Sequence, residues 1–162
     1  MPETSGEVWA AYFAGRVADQ GVRKESLERR GAAVLTSSAT FVTLVFGLVA
    51  VITGADDFGL PDDARAPITL GLVLLTAAAL ASLGVSWPRK YKNADFDRVD
   101  GEELVDQTPT KAVGSVALTN LEIYRESATN NDKKARWLTG SMTLQAAGVL
   151  ATAWAVFEIL SD

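Results

Sequence analysis

"NNDKKARWLTGSM", Asn130 to Met142, passes from amides and charges into an apolar run within a few residues. Asp132, Lys133, Lys134 and Arg136 come first, and from Trp137 to Phe157 no residue is charged. A helix needs roughly 20 such residues to cross a hydrocarbon core about 30 Å thick. Tryptophan is enriched where that core meets the headgroups. The stretch therefore reads as the inner border of a transmembrane helix, with Lys133, Lys134 and Arg136 holding that border in the cytoplasm.

Two further stretches have the same character. Gly31 to Ala55 and Ala66 to Pro88 carry no charge. The spans read as Ala32–Thr53, Pro67–Trp87 and Trp137–Ile159, the third helix filling residues 137–160. A soluble bundle of buried helices is the alternative, but three uncharged runs in 162 residues argue against it. The first run is not a signal peptide, because residues 1–30 ahead of it bear charges of both signs. The expected fold class is all-α: an integral membrane protein with three transmembrane helices, the first and third extended by cytoplasmic helices.

Lysine and arginine set the expected orientation. Arg16, Arg23, Lys24, Arg29 and Arg30 precede the first span. The first loop has only Arg65, against Asp56, Asp57, Asp62 and Asp63, and the second loop, Pro88 to Arg136, has nine basic residues. The positive-inside rule then places the N-terminus and second loop in the cytoplasm, and the acidic loop and C-terminus outside the plasma (inner) membrane. Trp87-Pro88-Arg89-Lys90-Tyr91 makes the inner border of the second span. The expected divisions are a cytoplasmic N-terminal helix (1–31), a transmembrane hairpin (32–87), a cytoplasmic connector and helix (88–136) and the third transmembrane helix.

Outside the spans, Thr4 and Glu7 have the spacing of a capping box. A helix is expected from about Ser5 through Thr53, with Gly15, Gly21 and Gly31 as weak points. Trp9, Phe13 and Val17 share one face. Residues 91–108 read as an irregular acidic connector with a short helix near Glu102–Asp106. From Pro109 the helical period returns: Val113, Ala117, Leu121, Tyr124, Ala128 and Ala135 form one stripe. That helix is expected to continue to Leu160, a rod of roughly 75 Å. The first and third helices cross in the same direction, so their extensions can lie side by side.

Composition excludes several functions. There is no cysteine and no histidine, which removes thiol chemistry, the commonest general base and the commonest metal ligand. A net charge of −5 disfavours a nucleic-acid partner. The acidic cluster Asp95, Asp97, Asp100, Glu102, Glu103 and Asp106 fails the calcium-loop spacing: Gly101 falls at position seven and Asp106, not glutamate, at twelve. It reads as a solvated connector. No catalytic, cofactor-binding or metal residue is assigned, no cofactor is expected, and nothing marks an enzyme. Within the spans, Ser141, Gln145, Gly148 and Thr152 form a polar stripe on the third helix, and Thr36, Thr40, Thr43 and Gly47 form another on the first. Close helix packing is the expected role of both, ahead of a pore lining.

"SLERRGAAVLTSSATFVTLVFGL" (Ser26–Leu48) with a second span ending in "WPRKY" resembles small membrane proteins common in actinobacteria. "NNDKKARWLTGSMTLQAAGVL" (Asn130–Leu150) resembles the Asn/Asp-x-Lys-Ala boundary before a membrane helix in transmembrane effectors of anti-phage systems, the Pycsar transmembrane effectors and the SLATT group among them. The resemblance implies cytoplasmic helices that carry a signal and membrane helices that assemble as a homo-oligomer to breach the inner membrane. The chain departs from that pattern in having no recognisable nucleotide-binding domain. The signal would then reach it through a separate signalling protein, through a nucleotide made by a separate enzyme, or through its own helices. The alternative expectation is an accessory subunit that binds another membrane protein without forming a pore.

Overall fold

The computed structural model describes residues 5–54, 61–88 and 108–161. Among them are three helices and no strand: α1 (Ser5–Thr53), α2 (Asp62–Ser86) and α3 (Pro109–Ser161). Each contains a stretch long and apolar enough to cross a membrane. Helix α1 has the expected bounds and passes through all three glycines unbroken. Helix α3 starts at the expected proline and ends one residue beyond Leu160. Thr4, Arg89 to Tyr91, the acidic cluster and the short helix near Glu102–Asp106 lie outside the described residues.

Helix α2 begins at Asp62, so it extends more than a turn ahead of the span expected from Pro67. Asp62 and Asp63 occupy its first turn, where carboxylates complement the positive end of the helix dipole. Pro67 lies in the second turn, where it lacks the N–H that would bond the Asp63 carbonyl and its ring crowds that carbonyl, yet the helix continues through it. Asp62 also pairs with Arg65 at 2.9 Å. Both side chains are exposed, so this pair contributes little.

The chain divides into two compact units. The larger holds the described residues of 27–87 and 134–161. Its buried positions recur with steps of four and three: Ala64, Ile68, Gly71, Leu75, Ala78, Ser82 and Val85 on α2. Helix α1 buries Leu27, Gly31, Val34 and Ser38, and α3 buries Lys134, Leu138, Ser141, Gly148 and Ala155 at the same spacing. A repeat averaging 3.5 residues keeps one seam facing its neighbours as helices supercoil left-handedly. Helices α1 and α3 run parallel here, since Glu28 meets Lys134 and Ser37 meets Gln145 at sequence separations of 106 and 108. Helix α2 runs antiparallel to both. Val85 lies against Gly31, Leu75 against Gly148, and Gly71 against Thr152.

The side chains of this unit are distributed inside out. Its interior mixes glycine, alanine and serine with Leu27, Val34, Ile68, Leu75, Val85 and Leu138. Its surface carries Leu44, Phe46, Val51, Leu70, Leu80, Leu150, Trp154, Phe157 and Leu160. Close backbone approach needs the small residues. A Cβ on Gly71 would stand 2.5 Å from Thr152 Cγ2, and one on Gly148 would stand 2.9 Å from Leu75 Cγ. Two apolar clusters close the bundle: Leu27, Val34, Val85 and Leu138 in one, Ala64, Ile68 and Ala155 in the other.

The smaller unit holds the described residues of 5–26 and 108–133 and pairs the two helices in parallel. Val113 packs on Gly6, and Asn131 donates to the Gln20 carbonyl at 2.9 Å and to Gln20 Oε1 at 3.0 Å. Of the expected apolar stripe, Ala117 is buried and Val113, Leu121, Tyr124 and Ala128 are half-buried. Phe13 and Val17 are half-buried too, whereas Trp9 is half-exposed and stacks on Phe13 with ring centroids 5.8 Å apart.

Candidate functional site

Heptad spacing brings polar side chains from all three helices into the interior of the larger unit. From the cluster of Val34, Val85 and Leu138, one turn further along each helix in the same direction lies a serine: Ser38, Ser82 and Ser141. All three are fully buried. Ser82 donates to the Ala79 carbonyl at 2.7 Å and Ser141 to the Leu138 carbonyl at 2.8 Å. Among the described residues, the Ser38 hydroxyl has no hydrogen-bond partner. One turn beyond Ser141, Gln145 Nε2 donates to Ser37 Oγ at 2.6 Å, while Ser37 donates to the Ala33 and Val34 carbonyls.

A charged pair stands on the other side of the same cluster. Lys134, fully buried, donates to Glu28, which is about one-third exposed. This changes the reading of the opening stretch. Lys133 and Arg136 are exposed, as border charges should be, but Lys134 faces inward and is matched by a carboxylate from α1. Trp137 does stand at the surface, half-exposed, with its ring laid over Gly84, where a Cβ would come within 2.9 Å of it.

The two polar stripes of the spans have different fates. Ser141, Gln145, Gly148 and Thr152 pack inward, as close-packing stripes should. Among the described residues nothing covers Thr36, Thr40, Thr43 and Gly47: all four are exposed. Thr40 and Thr43 return their hydroxyls to the Thr36 and Ala39 carbonyls, and nothing lies within 4 Å of the Cβ position of Gly47. With Leu35, Ala39 and Leu44, the threonines line an open groove of about 500 Å³ on the outside of α1. The buried seam of α1 is Leu27, Gly31, Val34 and Ser38, which the sequence reading missed. Gly31 and Ser38 stand at heptad spacing, but small residues are so common on this helix that they did not single out the seam.

The described residues of the smaller unit include an aromatic contact group. Trp9, Tyr12 and Phe13 touch one another, and the Arg16 guanidinium lies 5.4 Å from the Tyr12 ring centre. Arg16 Nε donates to the Tyr12 hydroxyl at 3.2 Å, a bond that raises the guanidinium above its already high ordinary value. Arg23 pairs with Asp132 at 2.9 Å, with both side chains largely exposed. Among the described residues, no group of three or more histidine, cysteine or carboxylate side chains is placed to hold a metal ion. A small hollow of about 20 Å³ between Val49, Ile68, Ala155 and Ile159 is apolar and has room for little beyond a single water. No protein-family model, curated protein or solved structure matches the chain.

Proposed function

We propose that the protein is an integral membrane protein of the plasma membrane. Its three helices span the bilayer, with the N-terminus and residues 88–136 cytoplasmic and the C-terminus outside. The observation that carries this is the inside-out bundle. In water, a three-helix unit gains stability by burying leucine and phenylalanine, at roughly 1.5–3 kcal/mol each. This unit turns many of its leucine and phenylalanine side chains outward, and buries serine and glycine beside Leu27, Leu75 and Leu138. That arrangement suits a hydrocarbon solvent, where tails are as apolar as leucine and helices associate through close packing and interhelical hydrogen bonds.

The proposed activity is that of an oligomeric effector, which perturbs the membrane when a cytoplasmic signal reaches the extensions of α1 and α3. Support comes from two surfaces: the small-residue groove of Thr36, Thr40 and Thr43, and the half-exposed Trp9 and Tyr12. Among the described residues the groove stays open and the two rings remain half-exposed. The resemblance of Asn130–Leu150 to anti-phage transmembrane effectors points the same way. The test is reconstitution of the purified protein into sealed vesicles loaded with a self-quenching dye. Leakage that rises with the ratio of protein to lipid is expected. Vesicles that stay sealed at ratios where chemical crosslinking reports oligomers would overturn the effector reading in favour of an accessory subunit.

A further inference from the structure

The larger unit carries arginine and tryptophan together at one end. Arg30 and Arg136 are the last charged residues before the uncharged runs of α1 and α3, and Arg29 precedes Arg30. The contact of Glu28 with Lys134 puts those two residues level, so Arg29 and Arg30 stand at nearly the same height as Arg136 on the parallel α3. Helix α2 runs the other way. Val85 lies against Gly31, and Gly84 lies under the Trp137 ring, so Trp87 reaches the same end of the unit. All five side chains are exposed. Trp137 keeps its height through Gly84, because a Cβ there would stand 2.9 Å from its ring.

Among the described residues, none of the three arginines forms an ion pair or a side-chain hydrogen bond. Glu28, next to Arg29 in sequence, is turned to Lys134. The other described carboxylates of the unit, Asp62, Asp63 and Glu158, lie at the far end with Arg65. One end is therefore basic and the other acidic. Guanidinium groups bind phosphate oxygens in a bidentate fork. Tryptophan settles at headgroup depth, and basic residues at the foot of membrane helices attract anionic lipid. A zwitterionic headgroup brings its own cation to this end, whereas the headgroup of phosphatidylglycerol brings only the phosphate charge. We infer that Arg29, Arg30 and Arg136 form a belt that gathers anionic phospholipid around the proposed cytoplasmic end of the bundle, with Trp87 and Trp137 setting its depth. Arg29 and Arg30 are successive residues, about 100° apart around α1, so the belt meets the leaflet in more than one direction. The inference rests on the membrane reading and adds to it a class of lipid and the residues that select it. It holds whether or not the assembly breaches the membrane.

The chain's four tryptophans make the belt readable. Trp9→Phe with Trp154→Phe leaves Trp87 and Trp137 as reporters of the belt. Trp9→Phe, Trp87→Phe and Trp137→Phe together leave the exposed Trp154 as a reporter of the far half. Each protein is reconstituted into vesicles of phosphatidylcholine with brominated chains, which quench tryptophan on contact. A rising share of that lipid is then replaced by unbrominated phosphatidylglycerol or, for reference, by unbrominated phosphatidylcholine. At the belt, phosphatidylglycerol should relieve quenching with a preference of about twofold or more over phosphatidylcholine. At Trp154 the two lipids should be equivalent. Arg29→Gln, Arg30→Gln and Arg136→Gln together should bring the belt reporters to equivalence as well. The same three arginines changed to lysine keep their charge and should keep a preference. Equivalence of the two lipids at the belt of the arginine protein would overturn the inference and leave the arginines to an acidic protein surface. A preference as large at Trp154, or one that survives the triple glutamine variant, would overturn it too. Failure of pure brominated lipid to quench the belt tryptophans at all would overturn the membrane reading itself, and the belt with it.

Discussion

At the scale of single residues, glycine and serine share the buried seams with leucine, valine and isoleucine and set how closely the helices approach. Gly71 and Gly148 let α2 and α3 approach until a methyl group would collide with Thr152 or Leu75. Gly71→Val should therefore destabilise the bundle by about 1–3 kcal/mol, the range for overpacking a close contact. Gly140 has nothing within 4 Å of its Cβ position, and Gly140→Ala should be neutral or stabilising by up to about 1 kcal/mol through helix propensity. Reversible unfolding in mixed detergent and SDS, followed by helical circular dichroism, separates the two; equal effects would show that close approach is not what Gly71 provides. Gln145→Leu, measured in the same way, should cost about 1 kcal/mol or less, in line with measured hydrogen bonds between membrane helices. Ser38 is the opposite case. Its buried hydroxyl has no partner, so Ser38→Ala should leave stability unchanged or raise it by about 1 kcal/mol.

At the scale of elements, the helices were legible in the sequence, but the phase of one of them was not. Uncharged runs, Pro109 at the head of α3 and the absence of proline within residues 5–53 predict long helices, and these formed. The 4-3 spacing of Ser141, Gln145, Gly148 and Thr152 marks a packed face correctly. The same spacing in Thr36, Thr40, Thr43 and Gly47 marks a face that stays exposed. Leu27, Gly31, Val34 and Ser38 repeat with that spacing too, shifted by two residues around the helix. Spacing identifies a stripe, and only the neighbouring helices decide which stripe is buried. Lys134 was illegible for a related reason: a lysine beside two other cations reads as a border charge until the carboxylate of Glu28 is placed beside it. In the smaller unit, Leu121 and Tyr124 are half-buried where α1 and α3 pair. Leu121→Asp with Tyr124→Asp should leave the helices inserted, because no span is altered, while loosening this pairing. Amide hydrogen exchange over residues 109–133 should then speed up at least tenfold relative to residues 138–155. Unchanged protection would mean that the stripe does not hold the pair together.

At the scale of the whole molecule, orientation turns on which charges are free to anchor it. The basic residues divide five, one and nine across the segments outside the spans. Burial of Lys134 against Glu28 takes only one of the many basic residues out of the count on what we propose is the cytoplasmic face, so the asymmetry between the faces survives. Arg65 in the short loop pairs with Asp62 and stands among further aspartates, which leaves that loop acidic. A periplasm-active alkaline phosphatase fused after Asp162 should therefore be active, and one inserted near Gly101 should be silent. Lys133→Gln with Arg136→Gln removes the two exposed cations at the foot of α3 and should lower the activity of the C-terminal fusion, whereas Lys134→Met should not. Two fusions reporting the same side would exclude three crossings. A Lys134→Met protein that misorients as strongly as the double variant would return Lys134 to the border and remove its place between α1 and α3.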